Sequence, residues 1–329
     1  MPTTAQIVDP KAVADRIIAG GKITMEEAEA FIALEQWSDI LALAAQATRI
    51  REKFTGGEVD LCALVNAKSG LCSEDCGFCS QSARYETDVS TYPMMSVEQI
   101  LERARQAKSF GAKRFCIVAA NRGLSDKDLP LLCEAVRRVK AEVGIEPECS
   151  LGFLTEKQLL ALKAAGMTRY NHNLETSESH FEKVCTTHTY RERLETMRMV
   201  KRNGVETCCG GILGLGESRQ QRLELAFELA ELDVTCAPIN VLNPRPGTPM
   251  EENTPPSPQE VVKTIAVFRF ILPKAKLELG GGREVNLRDF QSMAFLAGAN
   301  SLIIGGYLTT HGRQPGQDMK MLRDLGFTV

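Results

Sequence analysis

Cys72, Cys76 and Cys79 in "LCSEDCGFCSQSARY" set three thiols within one short loop. In a CxxxCxxC arrangement three thiolates can converge on one small inorganic object, and Gly77 supplies the permissive backbone that convergence needs. Zinc sites favour paired CxxC units adding up to four ligands, whereas a cubane iron–sulfur cluster held by three cysteines leaves one iron open to a substrate. Buried thiols or a structural zinc are the plain alternatives, and a three-cysteine loop directly after an apolar strand favours the open iron. A second group lies in "RYNHNLE", where Asn171, Asn173 and Glu175 alternate and so share one face of a strand. Polar groups on an inner face are costly unless a ligand or a network satisfies them, so this cluster marks a binding site. His172 points the other way and reads as a structural hydrogen-bonding residue.

Such groups need a frame that gathers strand ends. A short apolar, β-branched run followed by an amphipathic pattern recurs along the chain: "VDLCALVNA", "RFCIVAA", "ECSLGF", "RYNHNLE", "ETCCGGILG", "APINVLN", "KLELGGG" and "SLIIGG" read as strands. Between them, "SVEQILERARQAKSFG", "TEKQLLALKAAG", "TYRERLETMRMVKRNG" and "SPQEVVKTIAVFRFI" read as helices. Ser96 with Gln99 and Thr155 with Gln158 have capping-box spacing, Pro258 follows Ser257 at a helix start, and Gly111, Gly166 and Gly204 stand where helices stop. Eight strand-then-helix units predict an α/β fold, a (β/α)8 TIM-type barrel, with a doubly wound open sheet as the alternative. Residues 1–56 are helical in pattern and read as an N-terminal helical cap on a barrel of residues 57–329. The cysteine loop follows the first strand, at the end of the barrel where catalytic groups collect.

Bulk properties narrow the class. With 43% hydrophobic and 25% charged residues and a net charge of −3, the chain can bury a large core and lacks the basic footprint of a nucleic-acid binder. No segment has the apolar length of a membrane span, and "MPTTAQIVDPKAVADRI" lacks the pattern of a secretion signal, so a cytoplasmic location is expected. Eleven cysteines there serve metal ligation, catalysis or plain burial rather than disulfides.

With Phe78 just before the third cysteine, the loop resembles the signature of the radical S-adenosylmethionine (SAM) superfamily. The resemblance implies a 4Fe-4S cluster on Cys72, Cys76 and Cys79 whose open iron chelates SAM, and reductive cleavage of SAM to methionine and a 5'-deoxyadenosyl radical. "CSEDCGFCSQSARY", "RFCIVAA", "YNHNLETS", "TTHTYRERLETM", "GGILGLGE", "PINVLNPRPGTP" and "MAFLAGANS", over about residues 59 to 307, are more narrowly similar to the biotin synthase family. Of these "GGILGLGE" is superfamily-wide, and "YNHNLETS" with "CSQSARY" is specific. That resemblance implies sulfur insertion converting dethiobiotin to biotin. Asn171, Asn173, Glu175 and Asn240 would line the site, with Glu175 at the SAM ribose and Asn173 and Asn240 at the ureido ring of dethiobiotin. A homodimer, a flavodoxin- or ferredoxin-type electron donor and the iron–sulfur assembly machinery are the implied partners. Arg114, two residues before Cys116 on the same face, offers either positive charge near the substrate or a barrel salt bridge.

The family also holds an auxiliary cluster as sulfur donor, usually a 2Fe-2S centre on three cysteines and one arginine. By the resemblance Cys116, Cys149 and Cys208 are the three cysteines. At the arginine position the family's "RLSAGR" reads "ELGGGR", which puts Glu278 at the ligand position. Cys62 and Cys236 stand where the family has serine, and parity lets both point into the barrel, whereas Cys209 should face the helices. Loss of a hard ligand and gain of soft thiols predict an auxiliary cluster of the 4Fe type, with an extra sulfide (4Fe-5S) as the donated atom and Cys62 or Cys236 as fourth ligand. The alternative is a retained 2Fe-2S centre with Glu278 as ligand. Cys133 and Cys185 match nothing and read as structural.

Overall fold

Among residues 8–329, which this computed structural model describes, nine strand segments run parallel in a single sheet. They are β1 Asp60–Lys68, β2 Arg114–Ala119, β3 Glu146–Ser150, β4 Arg169–Asn171, β5 Glu206–Cys208, β6 Gly211–Leu213, β7 Cys236–Val241, β8 Lys276–Leu279 and β9 Ser301–Ile303. Their order is β5-β4-β3-β2-β1-β9-β8-β7-β6, and the pairing of Cys208 with Cys236 joins β5 to β7 and closes the ring. β5 and β6 are one strand interrupted at Cys209 and Gly210, so the ring has eight positions: the expected (β/α)8 barrel rather than an open sheet. At the interruption the chain passes so close to β7 that only glycine fits, since a Cβ on Gly210 would lie 2.0 Å from the carbonyl oxygen of Pro238.

The helices begin and end where local chemistry dictates. Ser96 and Thr155 form reciprocal capping boxes with Gln99 and Gln158, and Ser257 accepts from the Glu260 amide ahead of Pro258. Gly111, Gly166 and Gly204 take positive φ just after helix ends, where a side chain would be strained. The helices Met25–Ile32 and Trp37–Thr55 pack on the barrel's outer helices and Pro10–Ile18 packs on Trp37–Thr55, with Phe31 edge-on to Phe270 at 5.2 Å and Lys263 Nζ donating to the Leu34 carbonyl at 2.7 Å. One continuous apolar core runs through these three helices and the barrel wall. No helix among the described residues is long and apolar enough to cross a membrane.

Inside the ring the usual branched apolar filling gives way to chemistry. Cys62, Cys116, Glu148, Arg169, Cys208, Cys236 and Glu278 are all buried. A (β/α)8 barrel normally stacks valine, isoleucine and leucine at these depths.

Candidate active site

The cysteine loop begins where β1 ends and is tied back on itself. The Cys72 amide donates to the Gln81 carbonyl at 3.0 Å, Ala83 to Cys72 at 2.7 Å, and Cys79 to Cys76 at 2.9 Å. Asn66 anchors it to the strand end by donating to Gln81 Oε1 at 2.9 Å. Gly77 lies outside the left-handed region, and a Cβ there would meet only the flexible Met250 Cε at 3.2 Å and, at ordinary contact distance, the Val184 carbonyl at 3.5 Å, so the permissive backbone expected of it is not what this conformation uses. Burial pushes the Cys72 thiol up, and Cys79 to about 11, so a metal must displace protons to bind.

Two residues that the sequence left without a role sit against this loop. Cys185 Sγ lies 3.8 Å from Cys76 Sγ, 3.1 Å from Asp75 Oδ1 and 3.3 Å from His188 Nδ1. Arg193, from the helix Tyr190–Arg202, directs Nη2 at Cys76 Sγ (3.8 Å), Nε at His188 Nε2 (2.8 Å) and Nη1 at the Asn173 carbonyl (2.8 Å). Its Nη1 also stands 3.5 Å from Glu175 Oε1. The only sequence signal for either was the run "VCTTHTYRER" around them.

β4 stops at Asn171, and the chain continues to Glu175, whose φ of 68° is in the left-handed region that a non-glycine residue enters at a cost. Gly211 leaves room for this, because a Cβ there would lie 2.5 Å from the Glu175 carbonyl. Burial raises the Glu175 carboxyl, Arg193 partly offsets that, and Oε2 is buried with no hydrogen-bond partner. His172 is buried edge-on to Phe153 at 5.0 Å and burial holds its pKa well below normal, but its Nε2 is buried with no partner, so it packs against the ring rather than acting as the hydrogen-bonding residue expected.

Asn171, Asn173 and Asn240 line a cavity of ≈ 280 Å³ that runs from Phe78 in the cysteine loop down to Cys116 and Glu278. Asn173 Oδ1 accepts from the Gly210 amide at 3.1 Å and Asn240 Oδ1 from Gly281 at 2.8 Å, which fixes both side chains. Leu64, Val118, Ile212 and Pro238 form the apolar walls. Arg245, Thr309 and Thr310 line it as well, and Arg245 Nε is buried without a partner.

Cys116 on β2 reaches the cavity floor, and three more buried thiols lie on neighbouring strands of the ring: Cys62 on β1, Cys208 on β5 and Cys236 on β7. Ligand atoms of Cys208, Cys236 and Glu278 lie within 4.8 Å of one another, and Cys62 Sγ is 4.0 Å from Glu148 Oε2. Burial pushes Cys62, Cys116 and Cys208 far up, and burial with Glu148 nearby pushes Glu278 up to about 7.

Cys149 and Arg114 do not stand where the sequence put them. On β3, Glu148 and Ser150 face inward, Glu148 pairing with Arg169 at 3.1 Å and Ser150 lining the cavity, so Cys149 faces outward into the apolar layer beside Cys133. Successive side chains point to opposite faces, so Cys149 cannot share the centre that Cys116 and Cys208 face. Arg114 pairs with Asp60 (3.0 Å), Glu206 (3.3 Å) and Glu148 (3.5 Å), one pleat below Cys116 and off the cavity wall; the barrel salt bridge is the reading that holds. Cys209 faces the helices, as parity requires.

A closed parallel barrel with a three-thiol loop after its first strand is the architecture of a radical SAM barrel. The radical SAM superfamily matches residues 68–229, and the Biotin and Thiamin Synthesis associated domain matches residues 238–328. Methylornithine synthase (PylB) shares the fold at a TM-score of 0.83 and 20% identity, covering 96% of each chain. The FeFe-hydrogenase maturase HydG from Carboxydothermus hydrogenoformans gives 0.81 at 20% identity, over 97% of this chain and 79% of that one. Biotin synthase of Geobacter sulfurreducens is 49% identical over 321 residues (97% of each chain), and that of Carboxydothermus hydrogenoformans 47% over 320 residues (97% and 98%). This chain belongs to the biotin synthase family.

Proposed function

We propose that this chain converts dethiobiotin to biotin by radical sulfur insertion, with SAM at the Cys72–Cys76–Cys79 loop and sulfur drawn from an auxiliary iron–sulfur centre on Cys62, Cys116, Cys208 and Cys236. The observation that carries the reading is the single cavity linking the loop at Phe78 to the thiol floor at Cys116. When bound, the loop cluster supplies the electron that cleaves SAM and the auxiliary centre supplies the sulfur.

The donor sets suit those groups. Three thiols in one loop fit a cluster with an open iron, and four soft thiols on four strands fit a thiolate-bound centre without an arginine ligand. The unpartnered Glu175 Oε2 suits ribose hydroxyls as an acceptor, and Arg193 ties it to the Cys76 side of the loop. Asn173 and Asn240, each fixed by a backbone amide, present amides to a ureido ring. Arg245, Thr309 and Thr310 suit the substrate carboxylate. The apolar walls hold the aliphatic carbons in one pose and exclude water, which hydrogen abstraction from an unactivated carbon requires. The same reading carries a cytoplasmic location, a homodimer, a flavodoxin- or ferredoxin-type donor and the iron–sulfur assembly machinery.

Mössbauer spectroscopy with iron and sulfide counts on anaerobically reconstituted protein tests it. About eight irons per chain are expected, all in 4Fe-type signals, one decaying as biotin forms from dethiobiotin, SAM and reductant. Cys62→Ser or Cys236→Ser should strip that auxiliary signal, and Cys149→Ser should leave it. About six irons with a 2Fe-2S signal, or an auxiliary signal that survives both substitutions, would overturn the ligand assignment.

A further inference from the structure

Beneath the thiol floor lies a buried charged layer that the reaction as read above does not use. Arg169 on β4 is completely buried. Its Nη1 is 3.1 Å from Glu148 Oε1, its Nε 3.2 Å from Glu206 Oε2 and its Nη2 3.5 Å from Asp60 Oδ2. Arg114 and Lys276 share the same acids. Burying such a network costs more than filling the space with aliphatic side chains, and (β/α)8 barrels ordinarily do fill it that way. The layer is therefore unlike ordinary barrel packing, and what it adjoins supplies a reason.

It adjoins the thiols. On β2 Arg114 is one pleat below Cys116, and on β5 Glu206, the register partner of Arg169, is one pleat below Cys208. Despite its carboxylate neighbours, Arg169 Nη1 makes no hydrogen bond of good geometry, so a fully buried guanidinium keeps an N–H to give. Burial alone would lower the pKa of Arg169, but its acidic neighbours, Glu148 foremost, outweigh it. The register sets the sulfurs close by: Arg169 pairs with Glu206, one pleat below Cys208, and Cys208 pairs with Cys236. Four thiolates around an iron–sulfur centre add negative charge in a site remote from water. Net charge and hydrogen bonds to sulfur are the levers by which a protein sets such a centre's potential.

We infer that Arg169 is a positioning residue of the auxiliary centre: its guanidinium lies under the Cys208 and Cys236 sulfurs, offsets their charge and donates its free N–H to sulfur held there. The inference rests on the auxiliary centre of the proposed function. It assigns to an arginine beneath the centre the charge compensation that Glu278, standing among the thiols, cannot supply.

The test is EPR-monitored potentiometry of both clusters in anaerobically reconstituted wild type, Arg169→Gln and Arg169→Lys. In Arg169→Gln the auxiliary midpoint potential should move to more negative values while the loop cluster titrates as in wild type. Arg169→Lys, which keeps the charge and loses the planar fork, should show a smaller shift of the same sign. Should Arg169→Gln retain too little auxiliary iron to titrate, Arg169→Lys alone decides, and a wild-type auxiliary potential in it overturns the inference. An unchanged auxiliary potential in Arg169→Gln, or equal shifts of both clusters, overturns it too while leaving the auxiliary centre standing. Wild type without any auxiliary signal removes the centre and the inference together.

Discussion

Asp75 stands between two of the loop thiols in sequence and holds the loop to its neighbour. It accepts from the Thr186 amide at 2.9 Å, the Thr187 amide at 3.1 Å and the Thr187 hydroxyl at 3.0 Å. Burial raises its pKa, but the Thr186 and Thr187 donors outweigh that and hold the carboxyl well below the usual range. A depressed carboxylate contributes stability above its unfolded pKa of about 3.9, and that contribution is lost as the pH falls toward the folded value. Asp75→Asn should therefore cost about 1–2 kcal/mol in cluster-free protein at pH 7, and the gap should narrow as the pH drops below about 4. Urea denaturation of both proteins across that range checks this; a constant gap contradicts it. The three loop cysteines and the asparagines of "YNHNLETS" were legible at this scale because their chemistry is local. Cys185 and Arg193 were not, since each acts on Cys76 from more than a hundred residues away in sequence.

Among the elements, the broken strand β5/β6 does the most to shape the site. The Gly210 amide bonds Asn173 Oδ1, and its carbonyl accepts from Leu174 at 3.0 Å and Glu175 at 3.2 Å, so one residue steadies both the cavity wall and the strained Glu175. Gly210→Ala would drive a methyl into the Pro238 backbone and force β5/β6 away from β7, parting Cys208 from Cys236. We expect it to lose the auxiliary iron while retaining loop-cluster iron. An iron count with Mössbauer spectra decides, and full auxiliary iron would show that the strand gap is not needed. Capping boxes and terminal glycines made the helix limits readable from four-residue windows. The break was hidden, because "ETCCGGILG" reads as one strand, whereas its two halves pair separately with β7, at Cys208 and from Gly211 on.

For the molecule as a whole, the three N-terminal helices share their core with the barrel's outer helices, so they have no separate apolar interior to melt. Scanning calorimetry of cluster-free protein should show one cooperative transition; two resolved transitions would mean the helical segment unfolds on its own. The sequence by itself determined the cluster loop, the strand–helix alternation and the helix boundaries, because each rests on interactions within a few residues. Alternation along β3 told that Glu148 and Cys149 face opposite ways, but not which of them meets the interior. Closure of the ring made that choice, turning Glu148 in and Cys149 out. It also brought Asp60 of β1 against Arg169 of β4, beneath the thiols and Glu278, a proximity that no local pattern encodes, because it follows from how eight strands meet.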